Sequence, residues 1–291
     1  MDGILNVFKP KEWTSHDIVA KIKKITGQKV GHTGTLDPLA QGVLPVLIGK
    51  GTLCSKYLVN HDKKYRVELK LGKRTATLDA EGEVLEERKI PQGLLENSNQ
   101  EEIKRILKNF EGKIEQTPPM YSAIKVKGKK LYEYARKGQE VEIPTRKITI
   151  YSIELLEILK EENVIIFDVF CSKGTYIRTL CEDIAKSLNT IGYMQNLLRL
   201  QVGDFNVKDS IVLTMENEKD LEVIEKNIIS VEKMFMKYPK LDIEKSRIKH
   251  FLNGVKITQN VKDNVYRIYS DNEFIGIGVV KEKLLKRDII L

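Results

Sequence analysis

Apolar residues recur at helical spacing in several segments of the chain. The first segment carries Ile18, Val19, Ile22 and Ile25 on one face, and Ser15 precedes it as the predicted N-cap. Two later segments repeat the pattern, the second starting near Thr175. Their apolar positions are Ile103, Ile106, Leu107 and Phe110, followed by Ile177, Leu180, Ile184 and Leu188. Each apolar face is expected to pack against the core.

Between these helical segments the spacing changes to that of strands. Apolar and charged residues alternate over residues 65–71, which predicts a half-buried strand, and strand patterns recur over 147–157 and 164–171. This alternation of the two spacings through the first two thirds of the chain predicts a mixed α/β or α+β architecture.

The last part of the chain has a different pattern. Residues 213–231 are acidic and helical in character, and Pro239 follows, which places a domain boundary at about 235–240. Residues 265–269 and 274–280 are rich in β-forming side chains and are separated by Ser270, Asp271 and Asn272. This pattern predicts a hairpin within a small β domain.

Composition narrows the class of partner. The 291 residues include 49 Lys and Arg against 41 Asp and Glu, a net charge of +8 that attracts polyanions such as nucleic acid, although lysines can equally be a solvated surface. The cysteines, at positions 54, 171 and 181, lack the pairing of a disulfide framework or a zinc knuckle. Without a secretory signal pattern or a long apolar run, the protein is expected to be soluble and cytoplasmic.

One loop has the composition of an active site. Residues 31–42 read GHTGTLDPLAQG, with three glycines around a single Asp-Pro pair. Glycine opens backbone conformations closed to other residues, and Pro38 biases Asp37 towards extended conformations. The loop can therefore hold the Asp37 carboxylate in one geometry, although the same residues could form a purely structural turn.

The string GHTGTLDPLAQGVLPVLIGKGT resembles the catalytic motif of the TruB family, the bacterial tRNA pseudouridine-55 synthases. The similarity covers residues 3–205 and includes Lys9, Pro10 and the segments DKKYRVELKLG, QTPPMYSAIKVKGKKLYEYARKG and CSKGTYIRTL. It implies an α+β catalytic domain over 1–235 with a central, mainly antiparallel sheet. It also implies an RNA-clamping insertion at about 115–145 and a small PUA-like RNA-binding domain over 240–291.

Transferred residue by residue, the resemblance implies an active site. Asp37 is the catalytic aspartate, Arg178 pairs with it, and Tyr65 stacks against the target base. The implied RNA-binding residues are His32, Leu197, Lys9, Thr35, Lys125 and Lys130. Of these, His32 would insert into the RNA loop, and Leu197 matches the pocket leucine in a segment NLLRL where the family more usually has LRRL.

The chemistry agrees with these assignments. Forming pseudouridine breaks the bond from C1′ to N1, turns the uracil, joins C5 to C1′ and removes the C5 proton. A positioned carboxylate can act as nucleophile or base, so no cofactor or metal is expected. A nearby arginine would keep Asp37 ionised, and Tyr65 would receive an extruded base. A tyrosine in the core and an arginine on a helix surface are the simpler interpretations of the isolated residues.

Lysines and tyrosines interleave over residues 121–137, a composition that suits RNA. The predicted partner is the T-arm of tRNA, with no membrane, no obligate protein partner and a monomeric chain. Two alternatives stay open. One is a guide-RNA-dependent pseudouridine synthase, which shares the GHTGTLDP motif, and the other is an RNA chaperone without catalysis.

Overall fold

The computed structural model describes residues 1–214 and 217–291, with both helices and strands. The strands are β1 (Gly3–Lys9), β2 (Val30–His32), β3 (Gln41–Ile48), β4 (Lys63–Leu71), β5 (Lys73–Thr75), β6 (Val84–Glu87), β7 (Gly112–Gln116), β8 (Lys125–Val126), β9 (Lys129–Lys130), β10 (Arg146–Leu159), β11 (Val164–Cys171), β12 (Gly192–Val202), β13 (Phe205–Asn206), β14 (Ile229–Ser230), β15 (Lys240–Asp242), β16 (Ile257–Thr258), β17 (Asn264–Ser270), β18 (Glu273–Lys281) and β19 (Leu284–Ile290). The helices are α1 (Ser15–Thr26), α2 (Ser55–Leu58), α3 (Gln100–Lys108), α4 (Leu131–Ala135), α5 (Ile177–Ser187), α6 (Asn217–Asn227), α7 (Val231–Met234) and α8 (Lys245–Leu252).

A ten-stranded sheet forms the centre of the protein. Its strand order is β14-β1-β3-β12-β4-β11-β10-β7, with β2 paired to β3 and β13 paired to β12. The neighbours are antiparallel except for β12 and β3, which run parallel at the register pairs Leu198↔Gln41 and Arg199↔Gly42. The predicted mixed α+β fold with a mainly antiparallel central sheet is confirmed.

Strand β4 has one buried face. Its residues Tyr65, Val67, Leu69 and Leu71 are buried in one cluster with apolar residues of α3 and α5, as the alternating pattern predicted. Burying one large apolar side chain contributes about 1.5–3 kcal/mol. The helix α5 carries Arg178 at its start, so this packing also fixes the position of that arginine.

The predicted cap of α1 is wrong by one residue. Thr14 is the N-cap, and it forms a capping box with Asp17, whose backbone N–H donates to the Thr14 hydroxyl at 3.1 Å. Ser15 is buried, and its hydroxyl accepts from the Leu36 N–H at 2.8 Å and donates to the Leu36 carbonyl at 3.2 Å. Ser15 thus joins α1 to the loop that carries Asp37.

A separate five-stranded sheet, with the order β15-β17-β18-β19-β16, ends the chain. The predicted hairpin is present as β17 and β18, which turn through Asp271 and Asn272 at positive φ of 50° and 65°. Ile277 and Ile289 of this sheet pack against Phe235. The PUA-like assignment and the boundary at 235–240 stay predictions.

The predicted acidic helix over 213–231 corresponds to α6, while its residues 215 and 216 lie outside the described part of the chain. Within the described ranges, every helix is too short or too polar to cross a membrane.

Candidate active site

The loop between β2 and β3 is held at both ends by backbone contacts. Thr33 N–H donates to the Pro45 carbonyl at 3.1 Å, and Ala40 N–H donates to the Asp37 carbonyl at 3.0 Å. Gly34 and Gly42 bracket the loop at positive φ of 101° and 111°, where a side chain is disfavoured. The glycines predicted to shape the loop therefore do so at its two turning points.

The structure brings Asp37 and Arg178 together across 141 residues of sequence. The Arg178 Nε lies 3.2 Å from the Asp37 Oδ2. The carboxylate side chain is 37% exposed, whereas the arginine side chain is only 9% exposed. The Asp37 carboxylate is thus accessible to solvent, while the arginine that pairs with it is buried.

Three further contacts hold Arg178 in place. Its guanidinium donates to the Thr77 carbonyl at 3.1 Å and to the Tyr121 carbonyl at 3.0 Å, and its Nη1 lies 3.4 Å from the Asp79 Oδ2. Asp79 is buried, and burial raises the pKa of its carboxyl group while the Thr77 hydroxyl and Arg178 oppose that rise. The sequence reasoning missed Asp79, which stands in a short turn without periodicity.

A cleft of about 510 Å³ opens beside this pair. Its lining includes Asp37, Tyr65, Arg178 and Leu197, all of them predicted site residues. Tyr65 and Leu197 are each 7% exposed, and they form an apolar wall of the cleft. Burial raises the pKa of Tyr65 to about 12, while the nearby Arg199 guanidinium opposes that rise. Pockets of roughly 300–1,000 Å³ accept small organic ligands, so one nucleotide base fits this space.

Lys9 lies inside the protein. Its ammonium is fully buried and donates to the carbonyls of Pro10 at 2.8 Å, Pro38 at 3.2 Å and Trp13. Burial, followed by the charge of Arg199, lowers the pKa of Lys9 to about 8. The Pro38 carbonyl belongs to the loop that carries Asp37, so Lys9 connects β1 to that loop. Its predicted contact with RNA stays a prediction.

The other predicted RNA-binding residues differ in how close they lie to the cleft. Thr35 is exposed and lines it. His32 ends β2 outside the cleft lining, and burial lowers the pKa of its imidazole, which favours the neutral form. Lys125 and Lys130 are cross-strand partners in the β8–β9 hairpin, and the Lys130 Nζ donates to the Tyr132 hydroxyl at 3.2 Å. Tyr132 lines the cleft, so the hairpin borders the site.

Comparison with known proteins identifies the family. Residues 22–177 match the family model described as TruB family pseudouridylate synthase, N-terminal domain, which is more than half of the chain. The chain belongs to the TruB family. Residues 178–236 match the model of the tRNA pseudouridylate synthase B C-terminal domain. The five-stranded sheet follows this second range.

Named TruB-family relatives are similar over nearly their full length. The tRNA pseudouridine synthase B of Clostridium kluyveri is 47% identical, with 97% of this chain and 96% of the relative covered. The tRNA pseudouridine synthase B of Caldanaerobacter subterraneus is 44% identical over 98% of each chain. This TruB-family chain is therefore an isomerase that acts on RNA.

Solved structures share the fold. A chain in the structure of an H/ACA RNP bound to a substrate RNA containing 2′-deoxyuridine aligns with a TM-score of 0.68 and 25% identity, covering 99% of this chain and 85% of that one. A chain of a Cbf5-Nop10-Gar1 complex aligns with a TM-score of 0.67 and 28% identity, covering 99% and 83%. Nearly the whole TruB-family chain, including the five-stranded sheet, thus lies within the alignment.

Proposed function

We propose that this chain converts one uridine in the T-arm loop of tRNA to pseudouridine, without a guide RNA, and that Asp37 is the reacting carboxylate. The observation that supports the proposal most is the pairing of a half-exposed Asp37 with a buried Arg178 at the edge of a base-sized cleft. The close relatives whose names specify tRNA support the choice of substrate.

Access to the uridine requires that the base leave the RNA stack. An extruded uracil would lie against the Tyr65 ring, where stacking contributes roughly 1–3 kcal/mol. Leu197 would close the apolar side of the same cleft. The base is then held with its sugar close to the Asp37 carboxylate.

Asp37 would supply the reacting carboxylate. The Arg178 Nε lies 3.2 Å from Oδ2 of that carboxylate, and this pairing fixes the direction of the other oxygen. The carboxylate attacks the nucleotide or removes a proton while the bond from C1′ to N1 breaks. C5 then joins C1′, any bond to the carboxylate is broken again, and the proton lost from C5 is balanced by one gained at N1. Every bond broken is replaced within the same nucleotide, so the reaction is an isomerisation.

The β8–β9 hairpin would hold the RNA arm beside the cleft. Lys125, Lys127 and Lys129 are exposed, and Lys127 and Gly128 turn the hairpin at positive φ of 49° and 82°. A projecting basic hairpin neutralises phosphates on an RNA stem. We infer that this hairpin replaces the positioning that a guide RNA gives in an H/ACA particle, and that the chain acts as a cytoplasmic monomer.

The guide-dependent and purely chaperone alternatives are not favoured, because the relatives with near-complete coverage are named tRNA pseudouridine synthase B. The test is to incubate the purified chain alone with unmodified tRNA and to map pseudouridines along it. We expect one modified uridine, in the T-arm loop. Modification elsewhere, or only after an RNA guide is added, would contradict the proposal.

A further inference from the structure

Arg199 is a fully buried cation behind the active-site loop. It is 1% exposed and lies in β12, from which its side chain extends under the loop. Its Nε donates to the Val43 carbonyl at 2.7 Å, and its Nη2 and Nη1 donate to the carbonyls of Gly34 at 3.1 Å and Thr35 at 3.5 Å. Within the described residues it forms no ion pair with a carboxylate.

Burying a guanidinium without a carboxylate partner costs folding free energy. A buried ion loses its hydration, and carbonyl dipoles compensate for that loss only in part. The planar guanidinium can donate in several fixed directions at once, which a lysine ammonium on a flexible stem cannot reproduce. Arg199 therefore connects the two ends of the loop, at residues 34–35 and at residue 43, through one rigid group.

The backbone around Arg199 is equally constrained. Arg199 and Gly42 are register partners in the parallel pair of β12 and β3. A Cβ at Gly42 would lie 2.3 Å from the Arg199 carbonyl oxygen, so only glycine allows this approach. The side chain and the backbone of Arg199 thus fix the start and the end of the segment that carries Asp37.

Arg199 also lies next to Tyr65. The two residues are register partners across β12 and β4, and both line the cleft. The Arg199 charge favours the ionised phenol of Tyr65, against the effect of burial. The buried Arg199 therefore contacts the loop that carries Asp37 and also lies beside Tyr65.

We propose that Arg199 is a positioning residue of the isomerisation, which fixes the Asp37 loop through the Gly34 and Thr35 carbonyls and orients the Tyr65 phenol from behind. Arg199 would act through Asp37 and Tyr65 and would not itself touch the reacting atoms. The inference rests on the proposed function, because it assigns Arg199 a task in the reaction at that same site.

The test compares Arg199→Lys with Arg199→Gln, and uses Arg66→Lys as the matched control. Arg66 pairs with Asp168 on the opposite face of β4, with its side chain 47% exposed. We expect Arg199→Lys to lower the single-turnover rate of pseudouridine formation by about 10²-fold, because a shift of about 1 Å in a reacting group has that effect. Arg199→Gln should lower it at least as much.

The affinity for tRNA should change less than about threefold in Arg199→Lys, since the guanidinium donates to protein carbonyls. A cycle with Tyr65→Phe gives the second readout, because residues that act through one another lose rate non-additively. Arg66→Lys should match the parent in rate and affinity. A folded Arg199→Lys chain that keeps the parent rate would overturn the proposal, whether or not its affinity for tRNA is weakened.

Additive losses in the cycle would overturn the connection to Tyr65. A parent chain without activity on tRNA is a different outcome, because it would overturn the proposed function together with this inference.

Discussion

Replacing Arg178 by methionine separates the structural role of this arginine from its predicted catalytic role. The change removes the partner of two carboxylates that differ in exposure: the Asp79 side chain is 4% exposed and the Asp37 side chain is 37% exposed. Removing one partner of a buried ion pair costs about 3–5 kcal/mol, because the other charge stays buried. Water can solvate Asp37, so Asp79 should account for most of the loss.

We therefore expect Arg178→Met to lower the free energy of unfolding in urea by about 3–5 kcal/mol. Adding Asp79→Asn removes the stranded charge and should restore most of that loss. Turnover should not recover in the double variant, since the Asp37 carboxylate still lacks its cation, and the single-turnover rate should stay about 10²-fold or more below the parent.

Urea unfolding monitored by circular dichroism and single-turnover assays on unmodified tRNA give the two readouts. An equal loss of stability in the parent and Asp79→Asn backgrounds would refute the assignment of the cost to Asp79. Recovery of turnover in the double variant would show that Asp37 does not need Arg178.

Three other predictions concern the base, the loop and the RNA arm. Tyr65→Phe should keep tRNA affinity and slow turnover, whereas Tyr65→Ala should also weaken binding by about 1–3 kcal/mol in a filter-binding assay; unchanged affinity in the alanine variant would exclude stacking. Gly42→Ala should be strongly destabilised in urea, because its φ is 111° and its Cβ would overlap the backbone of β12, while Gly31→Ala, with open space around its Cβ, should resemble the parent. Changing Lys125 and Lys130 together to Gln should reduce the slope of log affinity against log salt by about 2. An unchanged slope would show that these two lysines do not contact RNA phosphates.

Local patterns were sufficient for much of the fold. The apolar spacing predicted α1, α3 and α5, and a turn of Asp271 and Asn272 between β-rich segments predicted the β17–β18 hairpin. These features depend on neighbours within a few residues. The cap of α1 was misplaced because Thr14 and Ser15 are both good caps, and only the tertiary contact of Ser15 with Leu36 distinguishes them.

The site depended on longer distances. Glycine and proline around Asp37 indicated a shaped loop, and the resemblance to the TruB family supplied Arg178, which lies far away in sequence. Asp79 and the buried location of Arg199 were not predicted, since a buried charged side chain leaves no periodic signature in the sequence. The resemblance supplied Lys9 as an RNA-binding residue, and its burial was not foreseen, because a buried lysine and an exposed lysine look alike in a sequence.

The central claim is that the Asp37 carboxylate performs the reaction. The most direct measurement is the release of tritium from tRNA labelled at C5 of its uridines, comparing the parent with Asp37→Asn and with Glu161→Gln, which removes an exposed charge from the turn between β10 and β11. We expect release by the parent and by Glu161→Gln, and none by a folded Asp37→Asn chain that still binds tRNA. Release by Asp37→Asn at the parent rate would contradict the account.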